Sequence, residues 1–324
     1  MNTRSFIARK LVYLVITLIA IIIFNFLLFR VMPGDPSKVL VPRTGDLDLI
    51  NYIRDLYHLN DPLHVQLWYY FTDTLQGDLG MSSGVRPYAD VADLMKPAAV
   101  NTVLLVGFGT ALAIWLGVTL GRFAAWRRGK AADTLGMSFA LTFYSMPTFL
   151  FALVMLMIFA GELGWFPIGG PYSDDYKTMS LLGKIADRGI HLVLPVVAFA
   201  IEVMADFALI MRNSLTDVLT EDYIVTARAK GLSNKRILHD HAMRNAMLPV
   251  VTVTAISIGW VLGGDIMVEI VFNYDGLGLM TWEAVNGRDF TLLQALFLIM
   301  AIAVLVANLF ADLLYMYLDP RVHV

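Results

Sequence analysis

Six stretches of this chain are too long and too apolar to be ordinary buried helices. They are Leu11–Phe29, Ala99–Gly121, Leu135–Ala160, Ile190–Met211, Val250–Ile270 and Leu292–Leu318. About 20 mostly apolar residues in a helix cross ~30 Å of hydrocarbon, so each run has the length of a membrane span. Backbone polar groups inside a bilayer must be satisfied within the segment itself, which a helix does. The pattern therefore predicts an all-α, polytopic membrane protein with six transmembrane helices. Composition removes the rival of one large soluble core. Hydrophobic residues are 58% of the 324 and charged residues 16%, against roughly 45–50% and 25% in soluble domains.

The first run has Arg4, Arg9 and Lys10 ahead of it, as a signal peptide would. It is nevertheless too long for a signal core, and Arg30-Val31-Met32-Pro33 follows it in place of a small-residue cleavage site. A retained span is expected. Pro147 falls inside the third run and predicts a kink there.

Lysine and arginine set the orientation. With the N-terminus inside, the inner segments 1–10, 122–134, 212–249 and 319–324 hold 14 of them, and the short outer loops 161–189 and 271–291 hold 4. Both termini are therefore expected in the cytoplasm. Trp126 at an inner edge and Trp165 at an outer edge suit the interfacial belts. The resulting organisation is a cytoplasmic N-terminus and first span (1–31), an extracytoplasmic segment (32–98), a five-helix core (99–318) and a short tail (319–324). The core carries a cytoplasmic loop at 212–249. A helical run from Leu47 to Leu75 and a turn at Gly77-Asp78-Leu79-Gly80 are expected in the outer segment.

The inner loop is the most structured polar stretch. From Glu221 to Val250 it reads as two short helices around a glycine. Thr220 is the expected N-cap of the first, with Glu221 and Asp222 in its first turn, where the helix dipole favours anions. Lys230 stands at its end and Gly231 is the expected left-handed stop. Ser233 is the expected cap of the second helix, which should end near Pro249. Such a loop is either a docking surface for another protein or an amphipathic connector on the membrane surface.

Acidic residues inside spans form the second signal, since a charge at the bilayer centre costs roughly 2.5–3.5 kcal/mol on insertion scales. Glu202 and Asp206 are four residues apart and share a helical face, as do Asn308 and Asp312. Asp265 is placed in the fifth span. Gly117 and Gly121 match the small-residue motif of close helix contacts, a match also expected by chance in a Gly-rich membrane chain.

Several chemistries are excluded or unsupported. The chain has no cysteine, so disulfides and thiolate chemistry are absent. No phosphate-cradling GxxxxGK[ST] sequence occurs. His239 and His241 are two apart and point to different helix faces, which argues against metal binding. A net charge of −3 gives no sign of nucleic-acid binding.

The inner loop, with Thr226-Ala227-Arg228-Ala229-Lys230-Gly231-Leu232 and then His241-Ala242-Met243-Arg244-Asn245-Ala246-Met247-Leu248-Pro249, resembles the "EAA" loop of permease subunits in ATP-binding-cassette (ABC) importers. The likeness is to the dipeptide/oligopeptide/nickel branch. Val225 and Thr226 depart from the general consensus, as that branch does. Other hallmarks stand in order along the chain: Arg30 to Pro36, Gly77 to Gly80, Ser145 to Phe149, Leu163 to Pro167, His191 to Pro195, Val268-Glu269, Gly276 to Gly278, Arg288-Asp289, and Asp312, Tyr315, Asp319, Pro320 and Arg321.

The resemblance implies a type I ABC importer permease fold in a prokaryotic inner membrane. It implies pairing with a second, related permease, two cytoplasmic ATPases that hold the ATP and Mg, and an extracytoplasmic substrate-binding protein. The chain itself would bind no cofactor and perform no hydrolysis. Tyr223, Ala227, Arg228, Ala229, Lys230, Gly231 and Leu232 would form the ATPase-coupling helix. Di- or oligopeptides are the expected cargo, with nickel, oligosaccharides and glutathione-like peptides as alternatives. Glu202, Asp206 and Asp265 stand where the family mostly shows apolar or small residues. They are expected to line the translocation path and favour a cationic substrate, or else to contact the partner permease. An ion-driven secondary transporter using these acids is the reading from another class, and the absence of an evident inverted repeat argues against it.

Overall fold

The computed structural model describes residues 3–31, 54–55 and 58–318. Met32–Pro36, most of the expected helix before His58, and the tail from Asp319 onward lie outside the described residues. Among the described residues, apart from one isolated bridge between Met81 and Asp90, the regular structure is helical. Among the described residues, five helices are long and apolar enough to cross a membrane, and a sharply bent pair supplies a sixth candidate. The chain groups into two compact units.

The first unit comprises the described residues of 1–102, 262–266 and 275–324. Here α1 (Thr3–Val31) packs along α12 (Phe290–Leu318). Asn25 Nδ2 donates to the Gln294 carbonyl at 2.9 Å, and the Phe29 and Phe297 rings lie 5.9 Å apart. The short α2 (Leu63–Gln76) starts after Pro62 and leans its Tyr70 ring on Phe26. The expected run from Leu47 to Leu75 is not one helix: Arg54 and Asp55 are helical, a turn at 58–61 and Pro62 interrupt it, and α2 follows, while its first residues lie outside the described residues. Gly77, with φ +80°, closes α2 in the left-handed conformation the turn demands. The start of α3 (Val91–Trp126) and α11 (Leu277–Asn286) complete the unit. Val91, Met95, Leu277, Leu292 and Leu296 are its core.

One carboxylate fixes the outer segment in this unit. Asp289 is fully buried and accepts from both Ser82 Oγ and Ser83 Oγ, and from the backbone N–H groups of Ser83, Gly84 and Val85. It also caps α12 through the Leu292 N–H at 3.1 Å. Gly84 passes so close to Gly287 that a Cβ would sit 2.3 Å from the Gly287 carbonyl oxygen. Burial pushes the Asp289 carboxyl upward, but the donors from Ser82, Gly84, Ser83 and Val85 outweigh it and hold it below its ordinary range.

The second unit spans 103–261 and 267–274. It holds the rest of α3, then α4 (Ala131–Tyr144) and α5 (Thr148–Met155), which continues as a π-helical turn at Leu156–Glu162. Next comes α6 (Leu181–Val218), capped by Ser180 accepting from the Gly183 N–H. At 1.5 Å per residue its 38 residues extend about 57 Å, well beyond the hydrocarbon thickness.

Gly117 and Gly121 are a genuine close contact and no chance match. A Cβ on Gly117 would lie 2.5 Å from Phe207 Cβ, and one on Gly121 would lie 2.4 Å from the Ala208 carbonyl oxygen. With Gly109 and Ala113 they form a small-residue stripe at four-residue spacing, along which α6 approaches α3.

Two spans differ from the sequence expectation. The third is broken more severely than a kink, with α4 and α5 meeting at 96°. Pro147 has no N–H and disfavours helix at Met146, while the Ser145 hydroxyl folds back to the Leu141 carbonyl at 2.8 Å. The fifth run is also interrupted. Its helix, α9 (Met243–Trp260), passes into a 3-10 turn at Val261–Gly263, and Gly264 at φ +70° turns the chain before α10 (Ile266–Val271).

Candidate functional site: the inner loop and the carboxylates of the spans

The inner loop is built on α7 (Asp222–Ala229) and on a second arm that begins at α8 (Asn234–Arg236). The first cap is Glu221 and not Thr220, and it makes no side-chain cap bond. The Thr220 hydroxyl instead donates to the Asp217 carbonyl at 2.7 Å, an acceptor it shares with the Thr220 N–H at 3.0 Å at the end of α6. Asp222 lies in the first turn and Arg228 in the last, as the dipole favours.

The stop falls where the sequence places it. Gly231 has φ +75°, its N–H reaches the Arg228 carbonyl at 2.9 Å, and the Leu232 N–H reaches the Ala227 carbonyl at 3.3 Å. Those two bonds make a Schellman stop. Nothing lies within 4 Å of a Cβ added at Gly231, so its constraint is backbone conformation and not space.

Ser233 occupies the cap position of the second arm without a side-chain cap bond. That arm does not end near Pro249. It runs from α8 through a π-helical turn at Ile237–Ala242 into α9, with Pro249 inside the helix. Proline removes a single donor there, and the flanking turns keep theirs, which a spanning helix tolerates. The second arm and the fifth span are therefore one continuous rod.

The seven coupling candidates divide into anchors and surface. Ala227 is buried and Leu232 half-buried; both pack into a cluster with Met211, Leu215, Ile237 and Ala246. Tyr223, Arg228, Ala229, Lys230 and Gly231 are exposed. Two further residues escaped the sequence reading. Ile224 is fully buried and pins α7 to the cluster. Asn245 Nδ2 donates to Tyr223 Oη at 2.8 Å and braces α7 against α9. The spacing of Ile224 and Ala227, three apart on one face, was the available signal.

Glu202 and Asp206 do share a face of α6, one turn apart. Glu202 is half-buried, whereas Asp206 is exposed and makes no hydrogen bond or ion pair among the described residues. Asn213 and Asp217, also exposed, continue the same face to within about 60° at 100° per residue. The sequence reading missed this continuation. Asp265 belongs to the first unit and sits in the turn after Gly264, outside any helix. The break at 261–264 is what removes it from the fifth span.

Family comparison agrees with this architecture. Residues 117–324 match the family described as binding-protein-dependent transport system inner membrane component, and residues 3–89 match that family's N-terminal region. The chain is 35% identical over 318 residues to a glutathione transport system permease protein of Salmonella typhimurium, covering 98% of both chains. It is 35% identical over 324 residues to an oligopeptide transport system permease protein of Bacillus subtilis, covering 98% of this chain and 99% of that protein. Among solved structures, the MetNI methionine ABC transporter in inward-facing conformations matches with a TM-score of 0.55 at 16% identity. That match covers 70% of this chain and 96% of the other, and it shows the fold alone. The chain thus belongs to the family of inner membrane components of binding-protein-dependent transport systems, and it is a permease subunit of an ABC importer.

Proposed function

We propose that this permease forms half of the path of an importer for di- or oligopeptides, glutathione-like peptides included. The carrying observation is the likeness, over 98% of the chain, to permeases named for glutathione and oligopeptides. A second, related permease supplies the other half. Two cytoplasmic ATPases hold the ATP and Mg, and an extracytoplasmic binding protein delivers the peptide. Both termini face the cytoplasm, as the lysine and arginine distribution favours.

The exposed side of α7 docks in the ATPase. Closure of the ATPases moves α7 as a rigid body, through Ile224, Ala227 and the Tyr223–Asn245 brace, onto the rod of α8 and α9. Glu202, Asp206 and Asp265 line the path and favour peptides carrying positive charge. The unpartnered state of Asp206 among the described residues supports a role toward something outside the chain.

Peptide-stimulated ATP hydrolysis by the reconstituted complex is the test, with nickel and oligosaccharides as rival cargoes. Peptide stimulation that is lost in Gly231→Val is the expected result. Stimulation by another cargo alone, or uptake driven by an ion gradient without ATPase, would overturn the reading.

A further inference from the structure

The turn that joins α3 to α4 carries more positive charge than its one nearby acid, Asp133, which also feels Arg128, can balance. Arg122, Arg127, Arg128 and Lys130 are all exposed, and none forms an ion pair among the described residues. The nearest acid in sequence, Asp133, is already occupied. It is buried, it holds Arg212 in a two-point pair at 2.7 and 2.8 Å, and it accepts the Gly129 N–H at 3.1 Å. The same contacts fix the turn, with Gly129 at φ +77° and the Lys130 N–H bonded to the Arg127 carbonyl at 3.0 Å. Three cations thus sit on a pinned turn, and the fourth sits one helical turn before it.

The surroundings are those of a bilayer edge. Phe108, Trp115 and Arg122 recur at seven-residue intervals on one face of α3, and Trp126 follows one turn later. Phe108 and Trp115 are among the most exposed aromatics, on the side away from the stripe of Gly109, Ala113, Gly117 and Gly121. The Arg127 guanidinium lies over the exposed Phe123 ring at 3.9 Å. On the neighbouring helix, Leu135 and Phe139 are exposed. Cations at the end of an apolar, aromatic-edged face meet the membrane at headgroup depth.

We propose that Arg122, Arg127, Arg128 and Lys130 form a binding site for the phosphate of an anionic phospholipid. The site is distinct from the coupling loop and does not depend on the cargo. Guanidinium forks give a phosphate paired hydrogen bonds, which a zwitterionic headgroup offsets with its own cation.

The test is native mass spectrometry of the full-length chain in detergent micelles, with dioleoylphosphatidylglycerol and dioleoylphosphatidylcholine in competition. The wild type should retain the anionic lipid in preference, and R122Q/R127Q/R128Q/K130Q should lose that preference by about tenfold or more. R122K/R127K/R128K keeps the charge but removes the guanidinium forks and should lose part of the preference, less than the quadruple variant loses, while K177Q, an exposed lysine elsewhere, should leave it unchanged. Circular dichroism of the quadruple variant checks that the fold survives. An unchanged preference in that variant would overturn the proposal. So would displacement of the lipid by millimolar inorganic phosphate, which would mark a free-anion site. Unchanged lipid binding with loss of the co-purifying ATPase would mark a protein surface instead.

Discussion

Asp289 and Asp206 are both aspartates of helical membrane units, and their surroundings could hardly differ more. Asp289 is enclosed by two hydroxyls and four backbone N–H groups. Asp206 is exposed, one turn from another acid, with no hydrogen bond or ion pair among the described residues. A buried carboxylate whose lone pairs are filled from its own chain is a structural part. A carboxylate in a span that its own chain leaves unfilled is the kind of group a substrate or partner could fill, as proposed for Asp206. Position in the sequence does not separate the two roles; the supply of local donors does.

The largest expected break in this contrast is Asp289→Ala. It would strand the donors of 82–85 inside the unit and lower stability by about 4 kcal/mol. Hydrogen exchange should then show the Ser83, Gly84 and Val85 amides unprotected; continued protection would mean the segment is held by something else. Asp133→Asn comes next. It weakens the two-point pair with Arg212 and the tie to Gly129, at a cost of about 3 kcal/mol in thermal unfolding.

A milder probe is acid. The folded Asp289 carboxyl binds its proton less readily than the unfolded one, so its contribution is complete above about pH 4 and fades as pH falls through the folded value. Asp289→Asn should flatten that part of the pH–stability curve, and an identical curve in the variant would assign the acid sensitivity elsewhere. Asp206→Asn should move stability least, by about 0.5 kcal/mol or less. Together with Glu202→Gln, it should reduce uptake of cationic peptides several-fold and spare neutral ones. An equal loss for both would remove the charge-selection role.

The spans were legible in the sequence because length and hydropathy alone decide what a bilayer accepts. The Gly231 stop was equally legible, since only glycine takes that backbone conformation cheaply. What stayed hidden was of two kinds, a choice between competing local arrangements and a partner distant in sequence. Nothing near Thr220 shows that its hydroxyl will turn back to Asp217. Nothing in the Pro249 neighbourhood shows that the helix continues, since proline ends helices in water and is tolerated in spans. The grip of Asp289 on residues 82–85 spans about two hundred positions, beyond the reach of any local pattern. The carboxylates of α6 were visible as a pair, while the break at Gly264 that takes Asp265 out of its helix was not.

The π-helical turn at Ile237–Ala242 has a consequence for how this rod could have arisen and how it could be retuned. A π turn is one residue wound into a helix that keeps going. The wide i→i+5 turn takes up that residue locally, so α9 keeps its face toward α6 on the far side of it. Deleting His239 should therefore restore α-helical winding and leave α9 in phase, whereas deleting one residue from the regular winding of α9 would rotate all that follows by about 100°. The rod thus carries one place where its length can change by a residue without turning its membrane-spanning part.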